Sequence, residues 1–208
     1  MTKPSSSSKQ WLKEHFDDVW VQRAREDGYR SRASYKLLEI QKKDHLIKPG
    51  MMVVDLGSAP GGWSQVAAKL VWPKGLVIAS DLLEMEPVPN VGFVQGDFTE
   101  DACFQQIITL LEGKEVDLVI SDMAPNMSGM NDIDQPRGMY LVELAVDFAA
   151  LTLRPGGSLL MKVFQGEGFS ELLQKLKRNY DVVINRKPEA SRSRSREVYV
   201  LAKGFKRL

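Results

Sequence analysis

Lys162 has the setting that is hardest to explain without chemistry. It stands inside Ser158-Leu159-Leu160-Met161-Lys162-Val163-Phe164, an otherwise apolar run that reads as a strand. A buried ammonium needs a partner or loses its proton. The lysine is therefore either a strand-end cation snorkelling to water or a base with a lowered pKa, held at the carboxyl edge of a sheet. The preceding strand, Val116 to Ser121, runs directly into Asp122, a carboxylate for the same edge. Two more strands end in acids: Leu76 to Asp81, and Val91 to Val94 followed by Gly96-Asp97. One aspartate past a strand end is commonly a solvated turn residue. Three on one sheet edge point to a ligand.

The stretch that names a class of ligand is Val53-Val54-Asp55-Leu56-Gly57-Ser58-Ala59-Pro60-Gly61-Gly62-Trp63. It reads as a buried strand ending at Asp55, a tight glycine turn, and a helix with apolar residues at 63, 66, 67, 70 and 71. Glycines let the backbone approach a ligand, and the helix start offers unpaired N–H groups. A dinucleotide fingerprint needs Gly-x-Gly-x-x-Gly, but Ala59 occupies the second glycine position and Pro60 removes an N–H donor. The turn suits a ligand bearing a carboxylate and a ribose, such as S-adenosylmethionine, better than it suits a nicotinamide dinucleotide. Asp81 follows Asp55 by 26 residues, near the offset of an acid that binds ribose hydroxyls.

Strands separated by helical stretches predict an α/β fold with a mostly parallel sheet and helices on both faces. Helices are expected over 9–27, from an N-cap at Ser31 to about Asp44, from Trp63, over 99–112, over 138–153 and over about 167–178. The stretch from Met127 to Arg137 lacks periodicity and reads as a functional loop. Asp181 to Ile184 and Arg196 to Lys203 read as the last two strands, joined as a hairpin that adds one antiparallel strand. Between them, Arg192, Arg194 and Arg196 alternate with serines, a pattern for a flexible tip that meets phosphates. Arg30, Arg32 and Lys36, with Tyr29 or Tyr35, resemble a second phosphate-contacting surface with aromatics available for stacking.

The 208 residues suffice for one domain, here 11–208 with a basic helical extension at 11–48 and a disordered Ser-rich tail at 1–10. The net charge of +1 hides an asymmetry: +4 over residues 1–48, −11 over 49–173 and +8 over 174–208. Basic ends around an acidic middle suggest a polyanionic partner gripped from two sides. Cys103, His15 and His45 form no metal-ligand spacing, so no metal is expected. With no apolar leader or membrane span, the cytoplasm is the expected compartment, and nothing requires more than a monomer.

DLGSAPGGWSQ, SDMAPNMSG and KVFQGEG, with SRSRSREVY and RSRASYKL, closely resemble the FtsJ-type ribosomal RNA 2′-O-ribose methyltransferases. The likeness runs from about residue 11 to near the end of the chain. It implies a Rossmann-like S-adenosylmethionine fold with seven strands and methylation of a uridine ribose in bacterial large-subunit rRNA, with the assembled subunit as the expected substrate. The family's Lys-Asp-Lys-Glu tetrad falls on Lys36, Asp122, Lys162 and Glu197. Its cofactor positions fall on Gly61, Trp63, Asp81, Asp97 and Asp122, and the turn adds Asp55, Gly57 and Gly62. The expected chemistry has Lys162 as general base, with Asp122 and Glu197 orienting its ammonium and Lys36 supporting the hydroxyl. Two alternatives remain open: a 2′-O-methyltransferase for tRNA or an mRNA cap, and a ribosome-assembly factor that has lost catalysis.

Overall fold

The computed structural model describes residues 18–192 and 195–207. The expected tail at 1–10, residues 9–17 of the expected first helix, and Arg194 lie outside the described residues. Six helices and seven strands follow in the order α1 (Val19–Glu26), α2 (Ala33–Asp44), β1 (Met52–Leu56), α3 (Gly62–Val71), β2 (Leu76–Asp81), β3 (Val91–Gln95), α4 (Asp101–Leu110), β4 (Val116–Ser121), α5 (Asn131–Thr152), β5 (Leu153–Phe164), α6 (Phe169–Asn179), β6 (Tyr180–Arg186) and β7 (Glu197–Phe205). All seven strands form one sheet in the order β3-β2-β1-β4-β5-β7-β6. Only β7 runs against its neighbours: it pairs antiparallel with both β5 and β6. The α/β expectation with one antiparallel strand is met.

Both faces of the sheet are covered, which is why its strands read as continuous apolar runs. Along β1, Val53 belongs to the core on the α2 and α3 face of the sheet, and Val54 to the core on the face covered by α4, α5 and α6. The five residues of β1 are all buried, so Asp55 is carried into the interior with them.

Three local expectations change. Ser31 does not cap α2 with its side chain; Arg32 is the N-cap residue, and its side chain makes no capping hydrogen bond to the helix. A Cβ on Gly62 would come within 2.5 Å of the Ser31 hydroxyl, so that hydroxyl is pressed against the start of α3 instead. The helix expected from 138 begins at Asn131 and takes in Pro136. Proline lacks one helical N–H, but this one sits near the N-terminus, where buried Asp134 and Gln135 anchor the turn. β5 begins at Leu153 rather than Ser158, because Arg154 to Gly157 form an irregularity opposite Asp117. Arg154 Nε donates to Asp117 Oδ1 at 2.6 Å there.

The basic extension is fastened to the far side of the sheet. At the end of α2, Asp44 takes two hydrogen bonds from Arg186 of β6, at 2.8 and 2.7 Å. Along one stripe of α2, Glu39 accepts from the Glu189 and Ala190 N–H groups at 2.6 and 3.1 Å, and Arg32 donates to the Ala190 carbonyl. Lys36 lies on that stripe between Arg32 and Glu39. Residues 189–190 are thus pinned rather than forming part of a free hairpin tip.

Candidate active site

The carboxyl ends of the parallel strands open onto a cleft of about 530 Å³, within the range of small-molecule sites. Its walls include Gly57, Ala59, Asp81, Leu82, Asp97, Phe98, Asp122, Met123 and Pro125. At Gly57, where φ is +70°, an added Cβ would lie 2.2 Å from Met123 Cγ, so only glycine fits beneath that side chain. Asp81 is oriented by the Ala59 and Leu83 N–H groups, both at 2.8 Å, and Asp97 by the Thr99 N–H and hydroxyl at 2.9 and 2.7 Å. The cleft therefore offers two fixed carboxylate acceptors among the apolar side chains of Leu82 and Phe98, a set that fits a nucleoside with a cationic tail.

Four residues expected at the cofactor are not on the cleft wall. Asp55 is 1% exposed beneath the turn. Its Oδ2 accepts the Ser64 hydroxyl at 2.6 Å, while Oδ1 has no hydrogen-bond partner among the described residues. Burial pushes the Asp55 carboxyl up to about 7, and the nearby Asp122 and Asp81 charges add to the rise. Gly61 has φ +106° and no room for a Cβ between Arg30 and Met85. Gly62 backs onto Ser31 and Ser34. Trp63 is buried, donating Nε1–H to the Ala33 carbonyl at 2.8 Å and packing 5.6 Å from the Tyr199 ring. These residues brace the turn from behind.

Beside the cleft, Lys36, Asp122, Lys162 and Glu197 converge from α2, the end of β4, β5 and the start of β7. The pairing of β5 with β7 sets Lys162 opposite Tyr199 and Phe164 opposite Glu197. Parallel pairing sets Ser121 opposite Met161, which brings Asp122 next to Lys162. Lys162 Nζ lies 3.1 Å from Asp122 Oδ1 and donates to the Asp122 carbonyl at 2.5 Å. Lys36 Nζ lies 2.9 Å from Glu197 Oε1. Both ammonium groups are largely out of water, with side-chain exposures of 8% for Lys162 and 9% for Lys36. Glu197 thus pairs with Lys36, not with Lys162 as expected; α2 reaches it first.

Burial pushes the Asp122 carboxyl up, but Lys162, Lys36 and the Tyr199 hydroxyl outweigh it and hold the group below the usual carboxylate range. Glu197 is likewise raised by burial and brought below its ordinary value chiefly by Lys36. Tyr199, missed by the sequence reading, donates its hydroxyl to Asp122 Oδ1 at 2.6 Å, and its ring lies 5.4 Å from Lys36 Nζ. Burial keeps that phenol protonated by raising its pKa well above the ordinary value. Its signal was present: Tyr199 is two residues from Glu197, so both project from one face of β7.

The arginines expected at RNA divide by what holds them. The Arg30 guanidinium donates to the Pro60, Glu86 and Pro87 carbonyls at 3.1, 2.5 and 2.7 Å, and so is occupied in pinning the turn. Arg32 pairs with Asp18 and Ala190. Arg196 donates to Asn131 Oδ1 at 2.9 Å. Among the described residues, Arg192 has no side-chain hydrogen bond or ion pair.

Comparison with known proteins agrees with this architecture. Residues 29–205 match the FtsJ-like methyltransferase family. A protein of Chromohalobacter salexigens named ribosomal RNA large subunit methyltransferase E is 66% identical, over 97% of this chain and 96% of its own length. The protein of that name from Pseudomonas aeruginosa PAO1 is 60% identical, over 97% and 98%. A crystal structure of a putative ribosomal RNA methyltransferase from Plasmodium falciparum superposes with a TM-score of 0.76 at 30% identity, covering 85% of this chain and 98% of that one. With nearly its whole length matched, the chain belongs to the FtsJ-like methyltransferases.

Proposed function

We propose that this chain methylates the 2′-hydroxyl of a uridine ribose in large-subunit ribosomal RNA, with Lys162 as the proton acceptor. The observation that carries the reading is the pair of buried lysine–carboxylate contacts, Lys162–Asp122 and Lys36–Glu197, set beside a cleft with fixed acids at its far end. FtsJ-like methyltransferases use S-adenosylmethionine, and relatives at 60% identity and above are named for the large-subunit RNA.

S-adenosylmethionine supplies an activated methyl group on a sulfonium, so no metal is required to make the carbon electrophilic. Asp81 and Asp97 would hold its ribose and adenine end, Leu82 and Phe98 its base, and the Gly57 turn its methionine end. Asp55, Gly61, Gly62 and Trp63 would keep that turn in shape. The acceptor is a ribose hydroxyl, a weak acid and poor nucleophile. Lys162, fixed by Asp122, would take or steer the hydroxyl proton while the oxygen replaces the sulfonium sulfur on the methyl carbon, the carbon–sulfur bond breaking to leave S-adenosylhomocysteine. Lys36, fixed by Glu197, donates to the same oxygen and orients its remaining lone pair toward the methyl. Tyr199 and Lys162 share Asp122 Oδ1, which limits the swing of that carboxylate. Much of the acceleration then comes from placing oxygen and carbon in line.

The basic ends suit a folded RNA surface, which supports the assembled subunit as substrate; a monomer acting in the cytoplasm fits that reading. No described helix is long and apolar enough to cross a membrane. The test is a methyl-transfer assay on free rRNA, small subunits, large subunits, tRNA and capped RNA, with the methylated atom mapped. Preferential ribose methylation of large subunits supports the reading; preferential transfer to tRNA or capped RNA refutes it.

A further inference from the structure

The first turn of α5 carries three polar side chains, and each reaches a different segment of the catalytic edge. Asp134, 3% exposed, accepts three hydrogen bonds from the loop that follows Asp122. They come from the Ser128 N–H and hydroxyl, both at 2.8 Å, and the Gly129 N–H at 2.9 Å. The Ser128 N–H, with the two donors beside it, holds the Asp134 carboxyl below the usual range despite burial. Gln135, also buried, donates from Nε2 to the Phe164 and Glu167 carbonyls at 3.2 and 2.9 Å, in the stretch just after Lys162. Its amide fills the space over Gly166, where a Cβ would come within 2.6 Å of Gln135 Cδ. Asn131 accepts from Arg196, the residue before Glu197, and the Arg196 carbonyl accepts from the Gln165 N–H at 3.0 Å.

These contacts fall where the sheet stops holding the chain. Asp122 lies one residue past β4, Lys162 two residues before the end of β5, and Glu197 at the first residue of β7. The β4 ladder stops at Ser121 and the β5–β7 ladder at the Phe164–Glu197 pair, so the segments that flank the tetrad on its open side depend on other contacts. A displacement of about 1 Å at reacting groups can cost on the order of a hundredfold in rate. A turn left over from folding would have no reason to bury a carboxylate and an amide and aim each at a different segment.

We propose that Asn131, Asp134 and Gln135 form a positioning clasp that sets Asp122, Lys162 and Glu197 against one another without touching either substrate. The proposal rests on the reading of the tetrad above and extends it to residues outside the reacting set. Asp134→Asn turns an amide donor toward donors and releases the loop after Asp122. Single-turnover methyl transfer to large subunits, at saturating cofactor and RNA, should fall about tenfold or more. The calorimetric Kd for S-adenosylmethionine should stay close to wild type, and the melting temperature, lowered by the lost hydrogen bonds, should remain well above the assay temperature. Asn131→Ala should slow the reaction several-fold, and Asn131→Asp, which keeps an acceptor for Arg196, should restore it. Wild-type enzyme unable to methylate large subunits overturns the tetrad reading. Wild-type turnover with an undiminished rate in Asp134→Asn overturns the clasp alone. Losses that merely track reduced cofactor affinity or melting temperature in both variants assign the turn to folding and also overturn it.

Discussion

Asp55 and Asp122 stand at the ends of neighbouring parallel strands, β1 and β4, yet their carboxyls are driven in opposite directions. Burial raises both. At Asp55 only the Ser64 hydroxyl and backbone oppose it, and the group rises to about 7. At Asp122 two lysines and a tyrosine hydroxyl reverse the effect and keep the carboxylate ionised. The contrast marks two halves of one sheet edge. The half proposed for the cofactor gathers Asp81 and Asp97 with no lysine on its wall among the described residues, a setting for a ligand that brings its own positive charge. The half proposed for the acceptor is balanced, two lysines against two carboxylates, and suits a neutral hydroxyl whose proton must be moved.

That division can be broken from either side. The largest effect is expected at the Lys36–Glu197 pair. Lys36→Met strands a mostly buried carboxylate and should cost about 3–5 kcal/mol in chemical unfolding. Glu197→Gln placed on top should recover most of that stability, while methyl transfer stays lost. Full activity in the double variant would show that this pair serves packing alone.

Asp55 should give a smaller and pH-dependent effect. Its folded pKa lies above the unfolded carboxylate value near 4, so its contribution to stability is whole below that value and is lost as pH rises toward 7. The loss has an upper slope of about 1.4 kcal/mol per pH unit. Asp55→Asn should therefore gain on wild type in urea melts between pH 4 and 7, and parallel curves would mean Asp55 is ionised throughout. Asp122 and Glu197, held low, should instead weaken the fold only as pH falls through their folded pKa values. The smallest effect is expected at the rim: Arg192→Ala should reduce the salt slope of RNA binding by about 1. An unchanged slope would return Arg192 to the solvated surface.

How much was legible in the sequence follows the same division. The cofactor half is local: a strand, a glycine turn and acids one step past strand ends, each visible within a dozen residues. The acceptor half joins positions far apart in the chain, so spacing alone could place Lys162 with Asp122 but not Lys36 or Glu197; those came from family likeness. What neither supplied was the partner of each lysine, because that depends on α2 being fastened to β6 and the β6–β7 connection through Asp44, Glu39 and Arg32. Pro136 disguised the start of α5, since a proline among methionines and glycines looks like a loop until the buried partners of Asp134 and Gln135 are known. Arg30 looked like a phosphate ligand because composition does not show that three backbone carbonyls take its guanidinium.

The claim that organises all of this is that Lys162 moves the proton while the cleft holds the methyl donor independently. It is tested most directly by measuring Lys162→Ala twice on one preparation, for S-adenosylmethionine affinity by calorimetry and for single-turnover methyl transfer to large subunits. Near wild-type affinity with transfer reduced at least about a hundredfold, the lower range for a lost acid–base group, is the predicted result. Substantial turnover from the alanine variant would contradict it.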